Sequence, residues 1–352
     1  MRDIIKEDID RMLQADFCIE RLKRKTILIT GATGYVPAYF VHYFMALNER
    51  YDAQIRVLAL CRNENKANNR FAKYFTNSMF QIVLQDVCSE INIKEKVDFI
   101  IHAASPAGVK ECQKNILDTY NANVKGCYNV CALANKNNAE GLLFVSSVDV
   151  YGWVNTSRHI EDVYGVINPL DKRDVYSNAK RACESMCMCE CIQNNLQVTI
   201  ARPTQIIGPG IDMNDGRLHA DFVNQMIHTD EIVLKSDGTA IRSFIYITDA
   251  IMGMLYILLY GEKGHAYNVA NERNEASVRE LAEVMIDAFE DKKIQIRFDV
   301  MQRNNPEVAH ALSVVCADAQ KLRNLGWNAE IDLYESAKRL ILYCKSGENK
   351  WQ

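Results

Sequence analysis

Short hydrophobic runs recur along the first two thirds of the chain, separated by longer amphipathic stretches. The runs lie at residues 26–30, 55–60, 81–84, 98–101, 142–146 and 198–201. Continuous apolar runs of this length are typical of strands that are buried on both faces, as in a parallel sheet. Stretches of helical length lie between them, notably at 35–48, 113–135 and 177–194. The alternation predicts a doubly wound α/β domain with a parallel sheet.

The pattern differs at the two ends of the chain. Residues 1–24 predict an amphipathic helical lead-in, because isoleucines recur there at helical spacing. Beyond about residue 202 the alternation loosens into a loop region at 208–217 and apolar helices near 249–260, 278–289 and 333–345. We therefore expect the doubly wound domain to span 25–202. A smaller lobe is expected over 203–352, with some of its strands and helices returning to the first domain.

Composition narrows the class of protein. Hydrophobic residues make up 48% and charged residues 24% of the 352 positions, a balance typical of a chain with a packed core. The net charge is −4, from 41 Lys and Arg against 45 Asp and Glu, so a binder of nucleic-acid phosphates is not expected. No run reaches the roughly 18 apolar residues of a membrane span. The 12 cysteines come without a secretion signal, which favours reduced thiols and a cytoplasmic protein.

A glycine-rich turn follows the first predicted strand. Residues 31–37 read Gly-Ala-Thr-Gly-Tyr-Val-Pro and join that strand to a helix. Glycine allows a tight turn and a close backbone approach to a pyrophosphate, whose charge is stabilised by the helix N-terminus. Pro37 replaces the third glycine of the usual pattern, and proline fits the first turn of a helix. A dinucleotide-binding turn is therefore predicted, with cofactor contacts from Gly31, Thr33, Gly34, Tyr35 and Val36.

The remaining candidate cofactor contacts follow the other strands. The second strand ends without the usual acid that binds the adenosine ribose, and Arg62 follows it instead. If Arg62 binds a 2′-phosphate, the cofactor is NADP. If Arg62 is instead a solvated arginine in a loop, NAD fits as well. The predicted cofactor is therefore NAD or NADP. Asp86, after the third strand, is a candidate for binding the adenine amino group. The other candidates are Val87, Ala103, Ala104, Ser105, Asn123 and Pro203.

A tyrosine and a lysine four residues apart are the candidate proton-transfer pair. Tyr176 and Lys180 lie on one face of a predicted helix, and a nearby positive charge lowers the pKa of a tyrosine. The same spacing recurs at Tyr334 and Lys338, where a surface pair is expected. Only Tyr176 is expected to lie near Ser147, which follows the fifth strand at the sheet edge where ligands bind in such folds. We therefore expect Ser147, Tyr176 and Lys180 to act together.

From about residue 24 the chain resembles the extended short-chain dehydrogenases/reductases of the nucleotide-sugar epimerase, dehydratase and decarboxylase group. The motifs that carry this resemblance are Gly31-Ala-Thr-Gly34, His102-Ala-Ala-Ser105, Ser146-Ser147, Tyr151-Gly152, Tyr176 with Lys180, Arg202-Pro203 and Gly208-Pro209. Further motifs are similar to UDP-glucuronate decarboxylases: Asn168-Pro169-Leu170, Lys180-Arg181-Ala182, Met213-Asn-Asp-Gly-Arg217, Arg242-Ser-Phe-Ile-Tyr246 and Leu325-Gly326-Trp327. The resemblance implies a Rossmann-type fold, a tightly bound nicotinamide cofactor and a nucleotide-sugar substrate held mainly by the C-terminal lobe.

The resemblance also implies a role for each candidate residue. Tyr176 would deprotonate the sugar 4-hydroxyl while C4 is oxidised, Ser147 would share that hydrogen bond, and Lys180 would bind the nicotinamide ribose and hold Tyr176 acidic. Arg217 and Arg242 would bind the substrate diphosphate through charge-assisted hydrogen bonds. Epimerisation at C4, loss of water and decarboxylation all start from the resulting 4-keto sugar.

The two positions after Ser147 discriminate between these reactions. The 4,6-dehydratases carry an acid and then a glutamate where this chain has Val148 and Asp149, and valine cannot donate a proton. Decarboxylases carry a glutamate at the Asp149 position, so a carboxylate there fits decarboxylation better than dehydration. Against decarboxylation, Gly210 stands where the arginine of the decarboxylases is expected. Asp149 is either a catalytic group or a carboxylate that binds loop amides. A C4 epimerase or 4-keto-sugar reductase needs only the Ser–Tyr–Lys set and stays open, and a cofactor-binding sensor or scaffold is the non-enzyme alternative.

Four cysteines cluster on the helix that continues from Lys180. Cys183, Cys187, Cys189 and Cys191 do not share one helix face. We therefore expect small buried hydrophobes at a helix-packing surface and no metal site. In the related enzymes this helix and the stretch 113–135 form a four-helix bundle between two subunits, which implies a homodimer.

Overall fold

The computed structural model describes residues 3–15, 17–106, 108–300 and 314–346. Its centre is a seven-stranded parallel sheet. Across the sheet the strands are β10 (Ala266–Val269), β6 (Val198–Pro203), β5 (Gly141–Val145), β4 (Phe99–His102), β1 (Thr26–Thr30), β2 (Arg56–Cys61) and β3 (Phe80–Leu84). The order reverses between β1 and β4, and such a switch point opens a ligand crevice at the carboxyl ends of the strands.

Helices cover both faces of this sheet, and others pack in a second core that is formed after β6. In chain order they are α1 (Ile4–Gln14), α2 (Tyr35–Tyr51), α3 (Glu64–Phe71), α4 (Val109–Lys114), α5 (Ile116–Asn137), α6 (Val175–Gln193), α7 (Leu218–His228), α8 (Ile247–Tyr260), α9 (Val278–Asp287), α10 (Gln320–Arg323) and α11 (Leu333–Lys345). Successive strand residues point to opposite faces. Ile27 and Ile29 therefore pack with α2 and α8, whereas Leu28 packs with α5 and α6.

A second core lies in the part of the chain that follows β6. There β9 (Ile241–Tyr246) pairs with β7 (Gln205–Ile207), β11 (Glu275–Ser277) and β13 (Val314–Val315), and β8 (Glu231–Leu234) pairs with β12 (Gln295–Phe298). Apolar residues of α7, α9 and α11 pack with these strands. From the same part of the chain, β10 joins the large sheet and α8 packs on it.

The α1 helix is joined to the last helix of the chain by a buried carboxylate. Asp8 is fully buried and accepts hydrogen bonds from the Tyr246 hydroxyl at 2.7 Å and from Nε of Arg339 at 2.9 Å. A buried charge is stable only where partners of this kind surround it. The network connects α1, β9 and α11, although 331 positions separate Asp8 from Arg339.

The predicted fold class is confirmed: the structure is α/β, with a Rossmann-type parallel sheet and smaller C-terminal sheets. Each predicted strand overlaps an observed one, with ends that differ by at most two residues. The stretch 113–135 is not one helix, because the backbone leaves the helical region at Asn115 (φ −120°, ψ 62°), which separates α4 from α5. Among the described residues, no helix is long and apolar enough to cross a bilayer.

Candidate active site

The glycine-rich turn lies at the carboxyl end of β1. Gly31 has φ +66°, and a Cβ on it would lie 2.7 Å from the Cα of Ala104, so a side chain would collide with the loop that follows β4. Gly34 is the N-cap of α2 and donates its N–H to the Gly31 carbonyl at 2.7 Å. Pro37 is buried in the first turn of α2, which continues unbroken to Tyr51. The turn therefore presents the N-terminus of α2 to the crevice, as expected for a pyrophosphate site.

Arg70 holds this turn from the side of α3. Its guanidinium donates to the carbonyl oxygens of Thr33 and Gly34, the latter at 3.0 Å. Burial lowers the pKa of Arg70 to about 10. Arg70 was not predicted from the sequence, because an arginine in a helix carries no local signal for carbonyl oxygens that lie 36 positions earlier.

The predicted residues after β4 form a second wall of the crevice. The Thr30 hydroxyl accepts hydrogen bonds from the backbone N–H groups of Ala103 at 3.2 Å and Ala104 at 3.1 Å. Nδ2 of Asn123, on α5, donates to the Ser105 hydroxyl at 2.9 Å. Oδ1 of Asn123 is buried and has no partner within the described part of the chain. A buried acceptor without a donor is costly, so a hydrogen-bond donor of a bound molecule would suit it.

Of four other residues predicted to contact the cofactor, two are exposed and two are buried. Arg62 and Asp86 are exposed and follow the neighbouring strands β2 and β3, and Oδ1 of Asp86 accepts from the Cys88 N–H at 2.8 Å. Val87 is buried against Gly126 of α5, and Pro203 is buried at the end of β6. The side chains of Val87 and Pro203 therefore contribute packing, whereas those of Arg62 and Asp86 are open to solvent.

Tyr176 and Lys180 begin α6 beside the end of β5. Lys180 is buried, and its Nζ donates to the Val145 carbonyl at 2.8 Å and lies 5.6 Å from the centroid of the Tyr176 ring. Ser147 is near enough to act on the Tyr176 hydroxyl. The three residues of the predicted catalytic set are thus close neighbours. By contrast, the second tyrosine–lysine pair is on the surface: Tyr334 is exposed, and Lys338 pairs with Glu290 at 3.8 Å.

The prediction that the pKa of Tyr176 is lowered is wrong for the protein without substrate and cofactor. Burial raises the pKa of Tyr176 well above its ordinary value, and the Asp149 carboxylate raises it further. Lys180 sits against the backbone of β5, and burial lowers the pKa of its own ammonium. Spacing along a helix predicts that two side chains are neighbours, but it carries no information on desolvation. In Tyr176 desolvation outweighs the lowering effect of the Arg217 charge.

Asp149 lies between the catalytic set and two arginines. Its Oδ2 accepts from the Ser147 hydroxyl at 3.1 Å. The side chain is open to water from the crevice, yet enough protein surrounds it that burial raises the pKa of the carboxyl, against the lowering effect of Ser147 and of the charges of Arg217 and Arg242. The preceding Val148 is buried in the core. Of the two positions that distinguish dehydratases, only Asp149 therefore faces the crevice.

Arg217 and Arg242 come from different parts of the second core. Arg217 precedes α7 and pairs with Asp215 at 2.6 Å, and Arg242 lies on β9 and donates to the Ile241 carbonyl at 2.8 Å. Burial lowers the pKa of Arg242. Both guanidinium groups act on the Asp149 carboxyl, so the predicted anion-binding residues converge on one end of the crevice.

Cys112 is a further neighbour of this site and was not predicted from the sequence. It lies on α4, its thiol donates to the Pro106 carbonyl at 3.1 Å, and its charge state influences the pKa values of Tyr176 and Lys180. The short α4 helix carries it there, and no pattern in the sequence marks that helix as part of the crevice.

The cysteines of α6 are divided between two environments. Cys183, Cys187 and Cys191 are buried, and Cys189 is exposed, as expected for a helix-packing surface. The structure adds Cys127 and Cys131 of α5, which face the buried cysteines of α6. No cysteine in the described ranges forms a disulfide.

Comparison with known proteins identifies related chains. The model of the NAD dependent epimerase/dehydratase family matches residues 27–270. The chain is 30% identical over 324 residues to UDP-glucuronic acid decarboxylase 2 of Arabidopsis thaliana, covering 91% of this chain and 68% of that protein. It is 27% identical over 323 residues to UDP-glucuronic acid decarboxylase 1 of Xenopus tropicalis, covering 91% and 72%.

Solved structures show the same fold at lower sequence identity. The dTDP-glucose 4,6-dehydratase of Bacillus anthracis, solved with NAD, superposes with a TM-score of 0.77 at 19% identity, over 93% of this chain and 98% of that one. The UDP-glucuronic acid 4-epimerase of Bacillus cereus, solved with UDP-glucuronic acid and NAD, has a TM-score of 0.75 at 19% identity, over 91% and 99%.

Proposed function

Since this chain belongs to the NAD dependent epimerase/dehydratase family, we propose that it decarboxylates UDP-glucuronate or a similar nucleotide-linked uronate through transient oxidation of the sugar C4. The observation that carries the proposal is the meeting of Ser147, Tyr176 and the Asp149 carboxyl at the carboxyl end of β5. The curated relatives at 27–30% identity named above are UDP-glucuronic acid decarboxylases, which supports this reaction among those of the family.

The residues around the glycine-rich turn fit a dinucleotide. Gly31 leaves no side chain between the turn and the loop after β4, and Gly34 caps α2 without a side-chain acceptor of its own. Both features leave space and N–H donors for a pyrophosphate. Asn123 adds a buried oxygen that has no donor among the described residues. We propose that Gly31, Gly34 and Asn123 hold NAD or NADP, which when bound supplies reversible two-electron oxidation at the sugar C4.

Proton transfer at the substrate is assigned to the catalytic set. Tyr176 takes the proton of the sugar 4-hydroxyl, and Ser147 hydrogen-bonds to the same oxygen and keeps the phenol oriented. Lys180, held by the Val145 carbonyl, provides the positive charge that stabilises the phenolate once a substrate and a cofactor have filled the crevice. The protein alone keeps Tyr176 protonated, because burial raises its pKa.

Asp149 and the two arginines are assigned to the uronate and the diphosphate. A keto group at C4 is β to the carboxylate, so the electrons of the C5–C6 bond pass into an enolate as carbon dioxide leaves. C5 then takes up a proton, and Asp149 is the candidate donor because burial raises the pKa of its carboxyl. Arg217 and Arg242 suit the diphosphate, since guanidinium groups bind phosphate oxygens in pairs.

A C4 epimerase is the second candidate function. It requires only Ser147, Tyr176 and Lys180, and one of the structural neighbours is a UDP-glucuronic acid 4-epimerase. Gly210, which stands where the decarboxylases carry an arginine, favours this alternative. A 4,6-dehydratase is disfavoured, because the side chain in the position of its acid is the buried Val148.

The reaction is tested with purified protein, added NAD and separate incubations with UDP-glucuronate, UDP-glucose and UDP-N-acetylglucosamine. Chromatography and mass spectrometry of the products distinguish the candidates. Loss of carbon dioxide from UDP-glucuronate supports decarboxylation, whereas an unchanged mass with a new retention time indicates epimerisation and overturns it. The matched control is Tyr176→Phe, which keeps the ring in place and removes only the proton-transfer group.

We also propose that the chain forms a homodimer through α5 and α6 and binds its substrate mainly with residues after 202. The outer faces of these two helices carry exposed apolar side chains, including Leu117, Tyr128 and Ile192, which is typical of a surface that another subunit covers. Light scattering of the wild type and of Tyr128→Glu with Ile192→Glu tests the dimer: the wild type is expected to have twice the mass of the double variant. A monomeric wild type refutes it.

A further inference from the structure

Two pairs of cysteines face each other between α5 and α6. Cys127 and Cys131 are four residues apart on α5, and Cys183 and Cys187 are four residues apart on α6. A four-residue spacing places both members of each pair on one face of their helix. The four side chains are 0–1% exposed. The helices therefore bring four thiols into one water-excluded space.

The sulfur atoms are close enough to share one ion. Sγ of Cys127 lies 4.0 Å from Sγ of Cys187, and the thiols of Cys127, Cys131 and Cys187 all lie within 4.8 Å of one another. Tetrahedral Zn²⁺ with Zn–S bonds of about 2.3 Å separates its sulfur ligands by about 3.8 Å. Small side-chain rotations are enough to close that difference. The Cys127 thiol also donates to the backbone carbonyl of Cys183 at 3.9 Å, which brings this part of α6 against the three thiols.

We propose that Cys127, Cys131 and Cys187 bind a soft divalent cation between α5 and α6, with Zn²⁺ as the representative ion. Thiolates are the ligands that select such ions over hard cations. Each ligating thiol loses its proton to solvent as the ion binds, and no electrons are transferred. The Lys180 ammonium acts on Cys183 and Cys127, and its positive charge offsets part of the thiolate charge.

The site is independent of the proposed reaction and has a structural consequence. Cys187 follows Lys180 by seven residues, about two turns of α6. An ion that joins α5 to α6 at this level would fix the helix that carries Tyr176 and Lys180. The prediction of no metal site rested on the cysteines of α6 alone, which do not share one helix face. The two ligands from α5 lie more than 50 positions earlier, so spacing along the sequence does not connect them to α6.

The test uses the full-length protein, reduced and stripped of metal with a chelator, and titrated with Co²⁺ as the spectroscopic probe for Zn²⁺. Tetrahedral thiolate coordination gives Co²⁺ intense visible absorption, which is expected to saturate at one equivalent and to disappear when Zn²⁺ is added. Cys131→Ser and Cys187→Ser are expected to lose this absorption. Cys189→Ser, which changes an exposed cysteine on the same helix, is the matched control and is expected to keep it.

A measurement on the wild type avoids dependence on how the variants fold. Alkylation followed by peptide mass mapping, with and without Zn²⁺, is expected to show Cys127, Cys131 and Cys187 protected at least tenfold by the ion and Cys189 unaffected. Absence of both the visible absorption and the protection overturns the proposal. A Cys127–Cys187 disulfide in the freshly purified protein, with no bound metal, overturns it as well.

Discussion

Replacing Gly31 by alanine tests whether the glycine-rich turn needs a residue without a side chain at this position. Two costs are expected at this position. The residue has φ +66°, a conformation that costs an L-residue about 1–2 kcal/mol. The new Cβ would also lie 2.7 Å from the Cα of Ala104 and 3.1 Å from its N. Both atoms belong to the backbone and cannot rotate away, and overpacking of this kind costs about 1–3 kcal/mol. The sum is a loss of about 2–5 kcal/mol.

Gly264→Ala is the matched control. Gly264 has φ +76°, but a Cβ there would meet only the ends of flexible side chains, with Met188 atoms at 3.4 Å and Sγ of Cys191 at 3.7 Å. This variant therefore carries the conformational cost of about 1–2 kcal/mol without the collision. The difference between the two variants isolates the close approach of the turn to the loop after β4.

Urea-induced unfolding, followed by far-UV circular dichroism, measures the stability of both variants. Calorimetric titration measures their affinity for NAD. Gly31→Ala is expected to be less stable than Gly264→Ala by about 1–3 kcal/mol and to bind NAD at least tenfold more weakly, whereas Gly264→Ala binds it as the wild type does. Equal stability of the two variants would refute the collision, and unchanged NAD affinity of Gly31→Ala would refute the assignment of the turn.

Three further predictions concern single groups. Tyr176→Phe is expected to lower kcat by about 10²–10⁴ without weakening NAD binding, as product assays and calorimetry will show; normal turnover contradicts the assignment. Asp249 is buried in the first turn of α8, where its Oδ2 accepts hydrogen bonds from the N–H groups of Glu330 and Ile331. Burial raises the pKa of Asp249 from 3.8 to about 6. The unfolded chain therefore loses this proton first, and the stability of the wild type falls as pH rises from about 4 to 6. The asparagine of Asp249→Asn cannot ionise, so the free energy of unfolding of this variant is expected to fall by about 3 kcal/mol less than that of the wild type between about pH 4 and pH 6. Urea unfolding at both pH values measures this difference, and an equal fall in the two proteins would contradict the prediction. Asp8→Ala leaves the Arg339 guanidinium buried without its main partner and is expected to cost about 3–5 kcal/mol in urea unfolding, against less than about 1 kcal/mol for Glu20→Ala in an exposed pair.

Features set by neighbouring residues were predictable from the sequence. The strand, the glycine-rich turn and the start of α2 form one continuous segment, so apolar pattern and glycine position define them together. The neighbourhood of Tyr176 and Lys180 follows from helix periodicity alone. Their approach to Ser147 was also predictable, because β5 and α6 both meet the crevice at its carboxyl edge.

Features that depend on distant residues were not predictable in this way. Arg70 binds carbonyl oxygens that lie 36 and 37 positions before it. Asp8 and Arg339 come from opposite ends of the chain and meet only because α1 and α11 pack near each other. Neither contact is marked by a periodic pattern, since each depends on how the helices pack. Burial is another property of the packed molecule, and for this reason the pKa direction of Tyr176 was predicted wrongly.

The α6 helix connects the two sites that this chain is proposed to carry. Its first turns position Tyr176 and Lys180, and its next turns place Cys183 and Cys187 against α5. The hydrogen bond from Lys180 to the Val145 carbonyl fixes the height of α6 relative to β5. A helix rises about 1.5 Å per residue, so a slip of α6 by a single residue would break that 2.8 Å bond and withdraw Tyr176 from Ser147. Whatever fixes α5 against α6, side-chain packing or a bound ion, therefore also sets the geometry of proton transfer.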